Sequence, residues 1–263
     1  MDKLNKRFFC SFADRRMDSS LKRIKNQALN LNFFDEIIVV NENYLDKDFI
    51  KTHKELLKKE TLGFGYWIWK PQLILQVLNK MNDNDLLLYT DAGCHLNIHG
   101  LTRLEEYFSI TKESEHGILL AELESYRLER IWTKGDIFEH FNCRNMSNII
   151  NTPQIQAGFI VLKKCEKSIK LIKKWLKTME NINLIDDSPS LSPNFHDFIE
   201  HRHDQSILSV LCKKFGCELI SGKEIYSTNW ESLIEYPIWA KRDKKYNANL
   251  IQKLLHFFKK RYK

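Results

Sequence analysis

The sequence predicts an α/β domain with a mostly parallel central sheet flanked by helices. Two segments, residues 6–12 (KRFFCSF) and residues 34–40 (FDEIIVV), are rich in aromatic and β-branched residues and are predicted strands. Between them, helical spacing at Leu21, Ile24 and Ala28 predicts an amphipathic helix. The order strand, helix, strand implies a parallel pair joined by a right-handed crossover.

A predicted central strand also supports the α/β class. Residues 86–89 form an uninterrupted apolar run, which is typical of a strand covered on both faces. Asp91 follows at the carboxyl end of this strand, where ligands bind in open α/β sheets. Ala92 and Gly93 leave room for a bulky group to approach the backbone. The alternative is a strand-ending turn in which Asp91 forms only local hydrogen bonds.

An aromatic stretch precedes this strand. Residues 61–72 (TLGFGYWIWKPQ) contain two glycines, and Pro71 suits the first turn of the helix predicted over residues 72–80. Trp67 and Trp69 either line a site or plug the loop onto the core. Lys70, beside a helix N-terminus, is placed to meet a phosphate, with a solvated lysine as the alternative.

Later segments add further candidates. Residues 117–121 and 153–163 are predicted strands, and the second contains Gln156, Ala157 and Gly158, where a ligand or a neighbouring backbone can come close. His203 and Asp204 stand at the start of a helix predicted over residues 204–215. Asp204 is either a site carboxylate or a residue that complements the N-terminus of its own helix.

Bulk composition sets the protein class. A chain of 263 residues with 43% hydrophobic and 29% charged residues is an ordinary globular protein, and its net charge of +7 favours anionic partners. The six cysteines show no metal-binding spacing, and no signal peptide is recognised, so a cytoplasmic location is expected. The lysines are dispersed and no nucleic-acid-binding module is present, so no nucleic-acid partner is expected.

The last part of the chain differs in character from the rest. Residues 247–263 combine an apolar helical face with a basic end, so the chain divides into a domain over residues 1–246 and a basic amphipathic tail over residues 247–263. Such a helix suits the anionic inner face of the cell membrane, where it would make the protein peripheral. A helix docked on the domain with a solvated basic tip explains the pattern equally well.

Several familiar sites are absent from the sequence. It contains no G-x-G-x-x-G after a strand, no P-loop and no G-x-S-x-G elbow. What remains is a carboxylate at the end of a central strand, a lysine before it and the adjacent pair His203 and Asp204 after it. Transfer from a nucleoside-diphosphate donor needs such parts, because cations or a metal must neutralise the diphosphate and an acceptor hydroxyl must be positioned.

The order GYWIWKP, LLLYTDAGC, QIQAG and HDQSILS resembles bacterial glycosyltransferases that build capsule, lipopolysaccharide or other surface polysaccharides. The resemblance spans roughly residues 7–210. It implies a single GT-A-like (Rossmann-like) domain and transfer of a hexose from a nucleotide-diphosphate sugar, with a UDP-sugar favoured, to a hydroxyl of a glycan or lipid-linked glycan acceptor.

The resemblance also assigns roles to matching positions. The implied catalytic residues are Asp204, as base or as the group facing the anomeric carbon, and Asp91. The implied donor-binding residues are Phe12, Ala13, Asp14, Arg15, Lys70, Asp91, Ala92 and Gly93. Acceptor or second-rank candidates are Trp67, Trp69, Lys134, Asp136, Gln156, Ala157 and Gly158.

One position departs from the family pattern. Asp91 takes the first position of an Asp-x-Asp-type motif, but Gly93 takes the third, so two aspartates cannot clamp a metal. Either Asp91 works with His203 or Asp204 around Mg²⁺ or Mn²⁺, which is the favoured option, or cations such as Lys70 and Arg15 hold the diphosphate. The competing functions are a nucleotidyl- or phosphotransferase using the same anion site, and a non-enzymatic membrane-associated scaffold.

Overall fold

The computed structural model describes residues 5–243, so the predicted helix over residues 247–263 lies outside the described part of the chain. A six-stranded sheet in the order β2-β1-β3-β6-β5-β7 forms the centre of the fold. Five of these strands run in one direction, and only β6 runs against its neighbours. The predicted α/β class with a mostly parallel sheet is confirmed.

The strands are β1 Arg7–Phe12, β2 Glu36–Val40, β3 Leu86–Thr90, β4 His95–Leu96, β5 Ile118–Glu122, β6 Ile155–Lys163, β7 Glu218–Ser221 and β8 Ile238–Trp239. The helices are α1 Asp18–Leu31, α2 Lys47–Thr52, α3 Trp69–Leu78, α4 Leu101–Glu113, α5 Glu129–Trp132, α6 Gly135–His140, α7 Ser147–Ile150, α8 Glu166–Met179 and α9 Asp204–Phe215. Short 3-10 turns occupy Arg15–Met17, Glu42–Tyr44, Ile98–Gly100, Ile182–Leu184, Gly222–Glu224 and Trp230–Leu233.

Helices cover both faces of the sheet. Leu87 and Tyr89 of β3 point into a core formed with α3, α8 and α9, whereas Leu86 and Leu88 point into a second core formed with α1 and α4. This alternation explains why the strand is apolar without interruption, since both of its faces are buried. Each such leucine contributes roughly 1.5–3 kcal/mol by leaving water.

The aromatic stretch before α3 adopts an uncommon backbone. Five consecutive residues, Gly63 through Trp67, all have φ between 50° and 95°. This left-handed conformation costs roughly 1–2 kcal/mol for each residue that carries a Cβ. Local hydrogen bonds hold it, including one of 2.7 Å from the Tyr66 N–H to the Leu62 carbonyl and one of 2.9 Å from the Trp69 indole to the Gly63 carbonyl. The segment delivers the chain into α3 with Trp69 and Lys70 turned inward.

Two elements differ from the sequence-based expectations. The lysine-rich sequence of residues 45–59 predicts one helix, but α2 ends at Thr52. After α2, the N–H groups of both Leu56 and Leu57 bond to the His53 carbonyl and the chain turns. The second difference is a small antiparallel sheet, in which His95 pairs with Trp239 and Leu96 with Ile238, that was not predicted. Between residues 5 and 243, none of the helices is both long and apolar enough to span a bilayer.

Candidate active site

Three strands meet at one edge of the sheet. The carboxyl ends of β1 and β3 lie beside the beginning of β6, because β6 runs the other way and pairs Thr90 with Phe159. The Asp91 N–H continues this pairing with a bond of 3.0 Å to the Gly158 carbonyl. The register of the sheet therefore brings together two of the predicted site residues, Asp91 and Gly158.

The carboxylate of Asp91 is fixed by neighbouring side chains but remains accessible to solvent. Its Oδ1 accepts a hydrogen bond of 2.8 Å from the Tyr89 hydroxyl and lies 3.2 Å from Lys70 Nζ. The side chain is still 40% exposed. A Cβ on Gly158 would lie 3.0 Å from Asp91 Oδ2, so glycine at that position gives the carboxylate its space. The result is an oriented acid facing solvent at the end of the central strand.

Lys70 is buried, and the alternative of a solvated lysine is wrong. Its side chain is 2% exposed, and Nζ lies 2.6 Å from Asp204 Oδ2, 3.2 Å from Asp91 Oδ1 and 3.2 Å from the Ala157 carbonyl oxygen. An ammonium group has three N–H donors, and these three acceptors can take all of them. Lys70 therefore has no donor left for a phosphate unless it gives up one of these partners.

The charges of this cluster favour a protonated lysine. Burial lowers the pKa of Lys70, but the neighbouring carboxylates Asp204 and Asp91 outweigh burial and raise the pKa overall. Burial raises the pKa of Asp204, and the Lys70 charge opposes that rise. With both carboxylates ionised, the cluster carries a net charge of −1, and its only exposed member is Asp91.

Asp204 does not cap its helix. His203 is the N-cap residue of α9, and the Asp204 carboxylate points to Lys70. The Asp204 carbonyl accepts a hydrogen bond of 3.0 Å from the Trp175 indole, which ties the start of α9 to α8. Its side chain is 8% exposed, so the Asp204 carboxylate faces Lys70 and not the solvent.

The four candidates at the end of β1 lie in different surroundings. The Phe12 ring stacks on Trp69 at a centroid distance of 4.0 Å, and Ala13 packs beside Ala92. Burial raises the pKa of Asp14, but its hydrogen bonds from Arg16 outweigh burial and lower the pKa overall. Arg15 bonds to Glu42 and Asn43 at the far side of the turn.

The two tryptophans have separate environments. Trp69 is buried against Phe12, which agrees with the alternative of an aromatic plug. Trp67 is only half-buried, and its ring lies 5.4 Å from the ring of His203, with Tyr66 at 5.2 Å from the same imidazole. Trp67, Tyr66 and His203 thus form an aromatic rim beside the cluster.

Lys134 and Asp136 hold the polar loop over residues 181–194. Lys134 Nζ donates to the Asn183 carbonyl at 2.9 Å, and the Asp136 carboxylate accepts from the backbone N–H groups of Leu191 and Ser192. These two second-rank candidates stay predictions as site residues, since each of the contacts named here is to the loop.

His201 is buried beneath the same loop and donates a hydrogen bond to the Leu184 carbonyl. Burial lowers the pKa of His201 to about 3.

The predicted Mg²⁺ or Mn²⁺ ion finds a poor set of ligands. Within residues 5–243 no three His, Cys, Asp or Glu side chains are grouped in a way that could hold a metal ion. The Lys70 ammonium already lies between Asp91 and Asp204, where a shared cation would sit. His203 Nδ1 lies 2.7 Å from the Ile185 carbonyl, and Nε2 lies 3.6 Å from Asp187. The residues present therefore do not assemble a metal site from Asp91, His203 and Asp204.

A segment that sequence reasoning missed covers the turn after Asp91. We call residues 238–243 the strap. The Asp243 N–H bonds to the Gly93 carbonyl at 2.9 Å, and a Cβ on Gly93 would lie 3.3 Å from the Arg242 Cα. Arg23 joins the two by donating to the Ala92 carbonyl at 2.7 Å and to Asp243 Oδ2 at 3.0 Å. The strap backbone thus lies where the side chain of a second aspartate would begin.

Comparisons with known proteins give structural likeness only. No protein-family model matches the chain, and no curated protein matches it in sequence. Mouse xyloside xylosyltransferase 1 is similar in structure, with 10% identity, a TM-score of 0.48 and coverage of 90% of this chain and 97% of the other. A glycosyltransferase involved in glycosylation of the major capsid of PBCV-1 has 9% identity, a TM-score of 0.47 and coverage of 90% and 97%.

A different class of enzyme also resembles the chain. The 4-diphosphocytidyl-2C-methyl-D-erythritol synthase of Anaerococcus prevotii has 13% identity, a TM-score of 0.37 and coverage of 78% of this chain and 97% of the other. Similarities of this size carry no argument about the reaction. The argument for function therefore rests on the geometry of the site.

Proposed function

We propose that the protein is a GT-A-like glycosyltransferase that transfers a hexose from a nucleotide-diphosphate sugar, with a UDP-sugar favoured, to a hydroxyl of a bacterial surface glycan. The observation that carries the proposal is the exposed Asp91 carboxylate at the carboxyl end of β3, oriented by Tyr89 and Lys70. Ligands of open α/β sheets bind at this edge. A fixed acceptor of hydrogen bonds there suits the hydroxyl groups of a ribose or a sugar.

In the transfer, the bond between the anomeric carbon and the diphosphate oxygen breaks, and the nucleoside diphosphate leaves with the electron pair. A new bond forms between the anomeric carbon and the acceptor oxygen, whose proton passes to a carboxylate. Asp91 is the carboxylate of the cluster that can face these groups, because it is 40% exposed whereas Asp204 is 8% exposed. We assign Asp204 the part of a positioning residue that fixes Lys70, which in turn fixes Asp91.

Small residues around Asp91 leave space for a ligand. Gly158 has no side chain against the Asp91 carboxylate, so a ligand can approach it over β6, and Ala92 and Gly93 are small residues in the turn after Asp91. The aromatic rim of Tyr66, Trp67 and His203 offers flat apolar faces on which a sugar acceptor can stack. A divalent metal would neutralise diphosphate charge in such a reaction, but the side chains of residues 5–243 do not build its site.

Calorimetric titration of the full-length protein with UDP, GDP and their sugars, with and without Mn²⁺, tests the proposal. Binding of at least one nucleotide is expected, and the absence of binding in every condition would refute it. Product analysis then separates the enzyme classes. Release of a nucleoside diphosphate supports glycosyl transfer, whereas release of pyrophosphate would favour a nucleotidyltransferase.

Place in the cell is a further part of the proposal. A cytoplasmic protein that acts on lipid-linked glycans needs access to the inner face of the membrane, and the basic tail over residues 247–263 is the proposed contact. Removal of that tail should leave turnover on soluble acceptors intact and reduce binding to anionic vesicles. Complete loss of function on soluble acceptors would favour the scaffold alternative.

A further inference from the structure

The proposed donor carries a diphosphate, and the cluster around Lys70 cannot neutralise it. Two carboxylates and one ammonium leave that cluster with a net charge of −1, and the Lys70 N–H donors already have acceptors. Placing a diphosphate against this cluster alone would bring like charges together. Binding of a diphosphate here therefore needs positive charge from outside this cluster.

Arg242 of the strap is placed to supply that charge. The antiparallel pairing of β4 with β8 brings the chain back over the turn, and the Asp243 N–H then bonds to Gly93. The position that a Cβ would take on Gly93 lies 3.3 Å from the Arg242 Cα. The backbone of Arg242 thus lies against Gly93, which is two positions after Asp91.

The side chain of Arg242 is available. It is exposed, and no hydrogen bond or ion pair to it is seen in the part of the chain that the structure describes. Its φ of 53° is left-handed, a conformation that costs roughly 1–3 kcal/mol in a residue with a Cβ. The bonds from Asp243 to Gly93 and to Arg23 hold the strap in place around this strained residue.

Arg242 differs in this from two other arginines. Arg202 Nη2 lies 2.6 Å from Glu200 and Arg127 Nε lies 3.0 Å from Glu124, so both of these guanidinium groups have a carboxylate partner. Burial lowers the pKa of Arg202, Glu200 opposes this, and the positive charge of Arg242 lowers the pKa further. Among these three arginines, Arg242 is therefore the one without an ion pair in the described part of the chain.

We propose that Arg242 binds the diphosphate of the donor and replaces the metal clamp that Gly93 makes impossible. This inference rests on the proposed function. A guanidinium group binds phosphate through a fork of two N–H donors and stays charged at any relevant pH. The backbone of the strap thereby occupies the position that the second carboxylate would take, and Arg242 provides a positive charge there.

The test measures binding of UDP and of inorganic pyrophosphate to the full-length protein in the presence of EDTA. Wild type should bind both without a divalent ion. Arg242→Gln should weaken binding of both by at least about tenfold, the loss expected for one charge-assisted hydrogen bond. Arg242→Lys should recover part of the affinity, because a point charge remains without the fork.

Lys177→Gln is the matched control, since it removes one exposed positive charge from α8 and should leave affinity unchanged. Wild-type binding that requires Mn²⁺, or equal binding by wild type and Arg242→Gln, would overturn the inference while leaving glycosyl transfer intact. Absence of UDP binding by wild type in every condition would instead refute the proposed function. Thermal unfolding of each variant confirms that it is folded.

Discussion

Lys70 Nζ lies 2.6 Å from Asp204 Oδ2, and both side chains are almost completely buried. The pair joins α3, which follows the aromatic stretch, to the start of α9. Because Asp91 accepts from the same ammonium group, the pair also sets the position of the exposed carboxylate. Four predictions follow from this arrangement and from the residues around it.

Loss of the buried cation should destabilise the fold. Lys70→Met leaves Asp204 as an unpaired buried carboxylate, and we expect the free energy of unfolding to fall by about 3–5 kcal/mol. Urea denaturation measures the change. The double variant Lys70→Met/Asp204→Leu should recover most of the loss, because it removes both charges. A change below about 1 kcal/mol in the single variant would contradict the pairing.

Asp91→Asn should separate function from stability. The amide keeps the shape of the side chain and can still accept from Tyr89, so the free energy of unfolding should change by less than about 1 kcal/mol. Turnover should fall by roughly 10²-fold or more, since the charge facing the ligand is lost. Asp83→Asn, in the turn that precedes the same strand and 86% exposed, is the control and should retain activity.

Gly158→Ala should disturb the Asp91 carboxylate directly. The added Cβ would lie 3.0 Å from Asp91 Oδ2, so the carboxylate must shift. We expect turnover to fall by about 10-fold to 100-fold, the scale of a displacement near 1 Å. In an Asp91→Ala background the same substitution should have no further effect on turnover. An equal additional loss in that background would show that Gly158 acts independently of Asp91.

His201 should make stability depend on pH. Its pKa is about 3 in the folded protein because of burial, whereas an unfolded histidine titrates near 6.5. Between these values the unfolded chain binds a proton that the folded chain does not, so stability falls as pH is lowered through this window. The contribution is about 1.4 kcal/mol for each pH unit.

Urea denaturation at several pH values between 4 and 7 measures this slope. His201→Gln should reduce the slope, because glutamine does not titrate and can still donate to the Leu184 carbonyl. His196→Gln, which changes an exposed histidine in the neighbouring loop, serves as the control. Identical slopes in wild type and His201→Gln would show that another group dominates the acid response.

Local patterns were sufficient to predict much of the fold. The apolar run before Asp91 indicated a strand buried on both faces, and β3 is such a strand. The helix over residues 204–215 has the predicted bounds, because its apolar spacing and its start and stop signals lie within a few residues of one another. Predictions of this kind need only the residues of one element.

Contacts between distant elements were out of reach of such reasoning. Nothing near Lys70 in the sequence shows that Asp204 will bury its ammonium group, so a solvated lysine remained an alternative. Nothing near Gly93 shows that Arg242 will lie against it. The metal prediction followed from the expected partners of Asp91, whereas its actual partners are Lys70 and Tyr89. Register and topology, which decide these contacts, depend on the assembled sheet.

The strap also has a consequence for synthesis. All six strands of the central sheet have been made once Ser221 has emerged, so the carboxylate edge is encoded well before Arg242. A ribosome that stalls between these points releases a chain with the acid of the site but without the cation that we assign to the diphosphate. Such a truncated product should leave the cell's pool of activated sugars untouched.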